Sequence, residues 1–187
     1  MTKLIKLPSE EQKLLRQLRR GKSAAQKEVY QQHAAAMLGL CMRYASCRED
    51  AEEILSNGFI KVFEKIDQYK GDGPLGAWIR TIMVREALNF IRYRKNIFVE
   101  VEEERTVEMA HSEELERLEA GYLLRLIEDL PTGYRTVFNL FAIEGYAHKE
   151  IAEMLGISEN TSKTQVRKAR QKLQEQLRAD QKQMRVK

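Results

Sequence analysis

The sequence predicts an all-α protein made of two small helical domains joined by a charged tether, and three observations carry the prediction. Apolar residues recur at helical spacing along most of the chain, with no sustained period-two alternation or β-branched enrichment to mark strands. The three prolines, Pro8, Pro74 and Pro131, fall at helix starts or corners, and glycines are sparse. Between residues 100 and 119, nine glutamates stand against Arg105 and Arg117, so an acidic block poor in large apolar residues separates two basic segments.

Taken in order, helices are expected at 9–20, 23–46, 48–68 and 76–95, then at 113–129, 132–143, 148–155 and 159–178. The first four make a domain over 1–95 and the last four a domain over 113–180, leaving 96–112 as an acidic linker and 181–187 as a basic tail. The third helix carries Ile54, Leu55, Phe59, Val62, Phe63 and Ile66 on one face, ample for a core, while its acidic first turn stays out in solvent. Such a face also suits a protein partner. Beyond the loop Lys70-Gly71-Asp72-Gly73-Pro74, the fourth helix places Trp78, Ile82, Arg85, Asn89, Arg92 and Asn96 in one continuous stripe. Ile79, Met83, Ala87, Phe90 and Ile91 face the other way, toward a core. A row of Arg and Asn with an aromatic at one end and Arg94 and Lys95 at the other fits phosphates plus unstacked bases. The alternative is a core-anchoring Trp78 beside arginines that snorkel.

The last third reads as a helix-turn-helix. A short helix over His148-Lys149-Glu150-Ile151-Ala152-Glu153-Met154-Leu155 meets a corner at Gly156-Ile157, and Ser158 is placed to cap the helix that follows. Winding that helix puts Ser162, Val166, Ala169, Leu173 and Leu177 on one side and Thr164, Arg167, Lys168, Gln171 and Arg178 on the other. In such motifs the second helix lies in the major groove and its N-terminal residues reach base edges, which selects Lys163, Thr164, Arg167 and Lys168 as readers. Nine basic residues between Asn160 and the C-terminus, against Glu175 and Asp180, distinguish it from an ordinary solvated helix.

Composition narrows the function classes. A net charge of +4 and a pI near 9.0 permit nucleic acid without requiring it. No stretch approaches the ~20 apolar residues of a membrane span, and no secretion-signal pattern opens the chain, so the expected place is the cytosol. Cys41 and Cys47 are too few and wrongly spaced for a disulfide scaffold, and with His33 they are scattered over a helical segment, so neither metal nor cofactor is expected. Gly21-Lys22-Ser23 ends like a phosphate loop, but Arg16 stands where the earlier glycine belongs and no strand precedes it. Neither a Gly-x-Ser-x-Gly elbow nor His-Glu-x-x-His occurs, so no enzyme is expected.

The order of these parts resembles bacterial RNA polymerase sigma factors of the extracytoplasmic-function group, over most of residues 11 to 178. The most specific piece is Leu130-Pro131 with Tyr134-Arg135-Thr136-Val137-Phe138, Glu144-Gly145-Tyr146, Glu150-Ile151-Ala152, Leu155-Gly156-Ile157-Ser158, Thr161, Lys163 and Arg167-Lys168-Ala169-Arg170, which looks like the family's region 4. Leu18-Arg19-Arg20-Gly21 with Ala25 and Tyr30, Asp50-Ala51-Glu52-Glu53 with Phe59, and Trp78-Ile79 with Ile82 resemble region 2.

The resemblance implies a division of labour. Asp50, Glu53, Ser56 and Asn57 would dock on the clamp of the largest polymerase subunit, with the flap of the second-largest subunit as a further contact. Trp78, Arg85, Asn89, Arg92 and Lys95 would melt and hold the minus-10 element, and Lys163, Thr164, Arg167, Lys168 and Gln171 would read the minus-35 element. The acidic linker would run among the polymerase's basic walls. An anti-sigma factor is a further implied partner, although no residue identifies it.

Some positions depart from the family pattern. Ser56-Asn57 replace a frequent Gln-Glu, and Arg85 and Asn89 replace Asn and Asp, which makes the stripe more positive. Ser162 takes a usually apolar slot, with its hydroxyl placed to bond the Ser158 carbonyl four residues back. Two other classes remain: a stand-alone helix-turn-helix regulator, which would bind a palindromic operator without polymerase, and a protein-binding adaptor, which would show no salt-dependent affinity for DNA.

Overall fold

The computed structural model describes residues 9–98 and 119–186. Most of the tether expected at 96–112, the first turns expected from residue 113, and the side chains of Lys95, Asn96 and residues 181–187 lie outside the described ones. The chain separates into two compact units, Met1–Val107 and Glu108–Lys187. Among the described residues all regular structure is helical, in eight α-helices.

The first unit contains α1 (Ser9–Arg19), α2 (Ser23–Met42), α3 (Arg48–Glu64) and α4 (Leu75–Phe98). α2, α3 and α4 pack on one another and α1 lies against α2. Their shared core is Val29, Leu40, Tyr44, Ile54, Val62, Ile79, Met83, Val84 and Leu88, all fully buried. Each large apolar side chain so placed is worth ~1.5–3 kcal/mol over leaving it in water. Gly58 lets α3 approach α4 closely, because a Cβ there would overlap the Met83 thioether.

The helix ends differ from the expected ones for local reasons. α2 stops at Met42 rather than 46, where Tyr44 and Ala45 turn inward to the core on bonds from Tyr44 N–H and Ala45 N–H to the Cys41 carbonyl, 3.0 and 2.9 Å. α3 stops at Glu64, and the rest of the expected helix is a separate 3-10 turn, Ile66–Gln68, that buries Ile66. α4 runs on to Phe98. The acidic first turn of α3 is only partly in solvent: Glu49, Glu52 and Glu53 are exposed, but Asp50 is 3% exposed because Arg94 reaches it from α4.

The second unit contains α5 (Glu119–Glu128), α6 (Thr132–Phe138), α7 (His148–Leu155) and α8 (Glu159–Val186), with α5, α6 and α7 all packed on α8. Leu130, Val137, Leu140, Ile151, Val166 and Ala169 form its core. The helix expected over 132–143 changes at Asn139 into a π turn, Asn139–Ile143, closed by the Glu144 N–H on the Asn139 carbonyl at 2.9 Å. α8 outruns its expected end at 178 because Gln, Lys, Arg and Met continue to favour helix after the apolar spacing stops. The Tyr122 hydroxyl donates to Asp180, tying α5 to this extension. Arg135 is buried and donates to the Glu128 carbonyl at 2.8 Å, which fastens α6 to the end of α5.

Candidate nucleic-acid interface

The helix-turn-helix is built from its caps inward. The Ala147 N–H donates to the Glu150 carboxylate at 2.8 Å, satisfying one free donor at the start of α7. α7 ends on Gly156, whose φ of 66° is the left-handed conformation of a helix C-cap, and the Ile157 N–H closes on the Ala152 carbonyl at 3.1 Å. α8 then starts as expected, with Ser158 Oγ accepting the Thr161 N–H at 2.9 Å. Ser162, Val166 and Ala169 are buried on its inner side, while Lys163, Arg167, Lys168 and Gln171 are exposed and Thr164 is half-buried.

The exposed row is not uniform. Lys163 Nζ lies 2.6 Å from the Glu159 carboxylate, whose pKa it lowers by hydrogen bond and charge, and Gln171 donates to Glu175 at 3.0 Å. The Arg167 and Lys168 side chains are exposed and carry no hydrogen bond or ion pair among the described residues, so both are available to a groove.

Ser162 does not bond the Ser158 carbonyl as expected. That carbonyl is taken by the Ser162 N–H at 3.0 Å, and the hydroxyl sits 3.0 Å from His148 Nδ1 on α7. The His148 ring in turn stacks on Phe141, 4.4 Å between centroids and 11° from parallel, and the Arg170 guanidinium lies 5.6 Å from the Phe141 centroid. This polar and aromatic stack sets α7 against α8. Residues fourteen apart on different helices share no periodicity, and sequence reading had no signal for it.

On the first unit, α4 presents Arg85, Asn89 and Arg92 on its exposed side, as the stripe requires. Trp78 is half-buried and packs on Tyr69, centroids 5.5 Å apart, so it anchors the loop as well as heading the row. Tyr69 also donates to the Gly73 carbonyl, and Arg19 Nη2 donates to the Tyr69 carbonyl at 2.9 Å, which ties α1 to the same loop. Tyr93, 68% exposed, extends the row and was missed; its four-residue offset from Asn89 was the available signal. Arg94, expected at the phosphate end, instead forks onto Asp50 and lies 5.1 Å from the centroid of the Phe90 ring.

α3 exposes Glu53, Ser56 and Asn57, with Ser56 Oγ bonded back to the Glu52 carbonyl at 2.8 Å. Asp50, assigned to the same docking surface from sequence, is buried instead. Ile60, 55% exposed, adds an apolar spot beside a cluster in which Phe59 packs on Tyr30 and Phe63, centroids 4.7 and 5.9 Å away. Cys41 and Cys47 are free thiols, and burial pushes Cys41 up to about 12. Among the described residues no His, Cys, Asp or Glu group could hold a metal, and no helix is long and apolar enough to cross a membrane.

Residues 29–97 match the family described as Sigma-70 region 2, and residues 120–173 match Sigma-70, region 4. Fold and surfaces thus define a two-module protein of the sigma-70 class. The chain is 29% identical over 160 residues to the ECF RNA polymerase sigma factor SigE of Mycolicibacterium smegmatis, spanning 80% of this chain and 60% of that protein. It is 26% identical over 137 residues to the RNA polymerase sigma factor SigV of Bacillus subtilis, spanning 73% and 81%. In fold it is similar to the sigma factor RpoE of Bartonella quintana, crystallised with the anti-sigma factor NepR, with a TM-score of 0.58 at 22% identity over 82% of this chain and 97% of that one. The chain belongs to the extracytoplasmic-function RNA polymerase sigma factors.

Proposed function

We propose that this chain binds core RNA polymerase and directs it to specific promoters, with the second unit reading the minus-35 element and the first melting and holding the minus-10 element. The observation that carries this reading is the pairing of two exposed cationic helix faces, one in each family-matched module. Residues 1–95 and 113–180 are the two working domains, joined by the acidic segment 96–112. Lys163, Thr164, Arg167, Lys168 and Gln171 meet the minus-35 duplex, Arg167 and Lys168 foremost. Trp78, Arg85, Asn89, Arg92 and Lys95 serve the minus-10 strand. Glu53, Ser56 and Asn57 on α3 face the polymerase clamp, and the second unit takes the flap.

Promoter opening by such a protein uses binding energy alone. Phosphate and base contacts anchor the duplex, and capture of unstacked bases offsets melting costs of a few kcal/mol. Sigma factors are not enzymes; the chemistry remains with polymerase, and the chain works in the cytoplasm where polymerase and chromosome meet. Because the Bartonella relative is held by an anti-sigma factor, a protein that occludes the polymerase-facing surface is the expected regulator here.

Run-off transcription with purified core polymerase over a fragmented genome tests the reading and recovers the promoters. The expected result is a small set of start sites that need both proteins. Tight binding to a palindromic operator without polymerase, and no start-site selection with it, would replace this reading by that of a stand-alone regulator.

A further inference from the structure

The polymerase-facing helix and the promoter-facing helix are fastened to each other at three points. At one end, Arg94 Nη1 and Nη2 each lie 2.7 Å from an oxygen of Asp50, a two-pronged bond between residues 44 apart in sequence. Toward the other end, Gly58 meets Met83, and Lys61 of α3 pairs with Glu86 of α4, with the charges reversed between the helices. Arg85, Asn89 and Arg92 fall within the stretch of α4 bracketed by Glu86 and Arg94 or just beside it, so the bridges set how that row is presented.

Burial keeps Asp50 from partners, and Arg94, whose side chain is 46% exposed, has its guanidinium already engaged within the unit. Asp50 is 3% exposed, too deep to meet a polymerase surface. Arg94 has both terminal nitrogens committed to Asp50 and its guanidinium carbon close to the Phe90 ring, although it sits in a run of basic residues. A planar, two-pronged bond constrains angle as well as distance, which a lysine in the same place does not do.

We propose that Asp50 and Arg94 are a positioning pair that touches neither polymerase nor DNA and holds the C-terminal half of α4 on α3, so that docking of α3 presents the α4 row to the melted strand at a set angle. This rests on the function proposed above. Without the pair, polymerase still binds and pre-melted DNA is still held, but opening of duplex loses the geometric coupling between docking and capture.

The test uses the full chain with core polymerase, on a duplex promoter and on the same promoter pre-melted across minus-10, with permanganate reactivity of unpaired thymines as readout. Arg94→Gln and Asp50→Asn should each lower duplex opening about tenfold, with the double substitution no worse than the more damaging single one. Pre-melted template and core affinity should change by less than about twofold. The slope of log affinity against log salt should stay at the parent value for Arg94→Gln, while Arg85→Gln, a phosphate contact, should lose about 0.7–0.9. Arg94→Lys, which keeps the charge but not the fork, should stay defective. Asp50→Asn keeps shape and a hydrogen-bond acceptor, so it supplies the answer should Arg94→Gln fail to fold.

Additive losses with a reduced salt slope in Arg94→Gln would make Arg94 a phosphate contact and overturn the pair. Weakened core binding in Asp50→Asn would make Asp50 a docking residue and overturn it equally, as would unchanged opening in every variant. Absence of opening by the unsubstituted chain would sink the proposed function itself, and the positioning role with it.

Discussion

Replacing Gly156 by alanine isolates one physical effect at the corner of the helix-turn-helix. Its φ of 66° and ψ of 35° are left-handed, and a Cβ there meets nothing within 4 Å, so the penalty is backbone conformation and not crowding. An L-residue in that region costs ~1–2 kcal/mol. The loss of unfolded-state freedom on replacing glycine returns ~0.4–1 kcal/mol. The net destabilisation is therefore about 1 kcal/mol, which for a unit of this size lowers the midpoint of thermal unfolding by roughly 4–8 °C. Gly156→Asn should lose about half as much, since asparagine tolerates the left-handed region.

Scanning calorimetry of the full chain checks this, with Gly39→Ala as the opposite control. Gly39 lies within α2, and its Cβ would also meet nothing within 4 Å, so alanine there should stabilise the first unit by about 0.5–1 kcal/mol. Minus-35 binding well below the transition should be unchanged by Gly156→Ala, because the added methyl points into open space. An unchanged or raised midpoint would refute the left-handed corner. A large loss of DNA affinity with unchanged stability would show instead that the corner itself lies against the duplex.

Arg167→Ala and Lys168→Ala should each cost ~1–3 kcal/mol on the cognate minus-35 element and alter base preference; a uniform loss across sequences in a binding competition would mark phosphate contacts instead. Asn89→Ala should impair opening of duplex promoters more than of pre-melted ones, and equal impairment in the permanganate assay would remove it from the strand-holding row. Gly58→Val should destabilise the first unit by ~1–3 kcal/mol in urea through its overlap with the buried Met83, and Met83→Ala in the same chain should recover part of that loss. Iodoacetamide near pH 8 should label the half-buried Cys47 in the folded chain and reach Cys41 only in urea, because burial holds the Cys41 thiol far above its ordinary range; intact mass reads one adduct or two.

What was legible in the sequence was whatever depends on a few neighbouring residues. The cap at Ser158 and the glycine corner at Gly156 each need partners no more than about five positions away, and both occur as the residues require. The exposed rows on α4 and α8 follow from helical winding alone, so Arg85, Asn89, Arg167 and Lys168 face solvent as the spacing demands.

Tertiary packing decided the rest. Asp50 is a helix-start carboxylate by local rules and becomes a buried, paired charge only because α4 brings Arg94 across 44 residues. The Ser162 hydroxyl has a local acceptor within reach and turns to His148 because α7 lies against α8. α2 ends early because Tyr44 must face a core that no window of neighbouring residues contains. Backbone periodicity is set along the chain and can be read there, whereas the partner of a buried polar group is set by which helices meet.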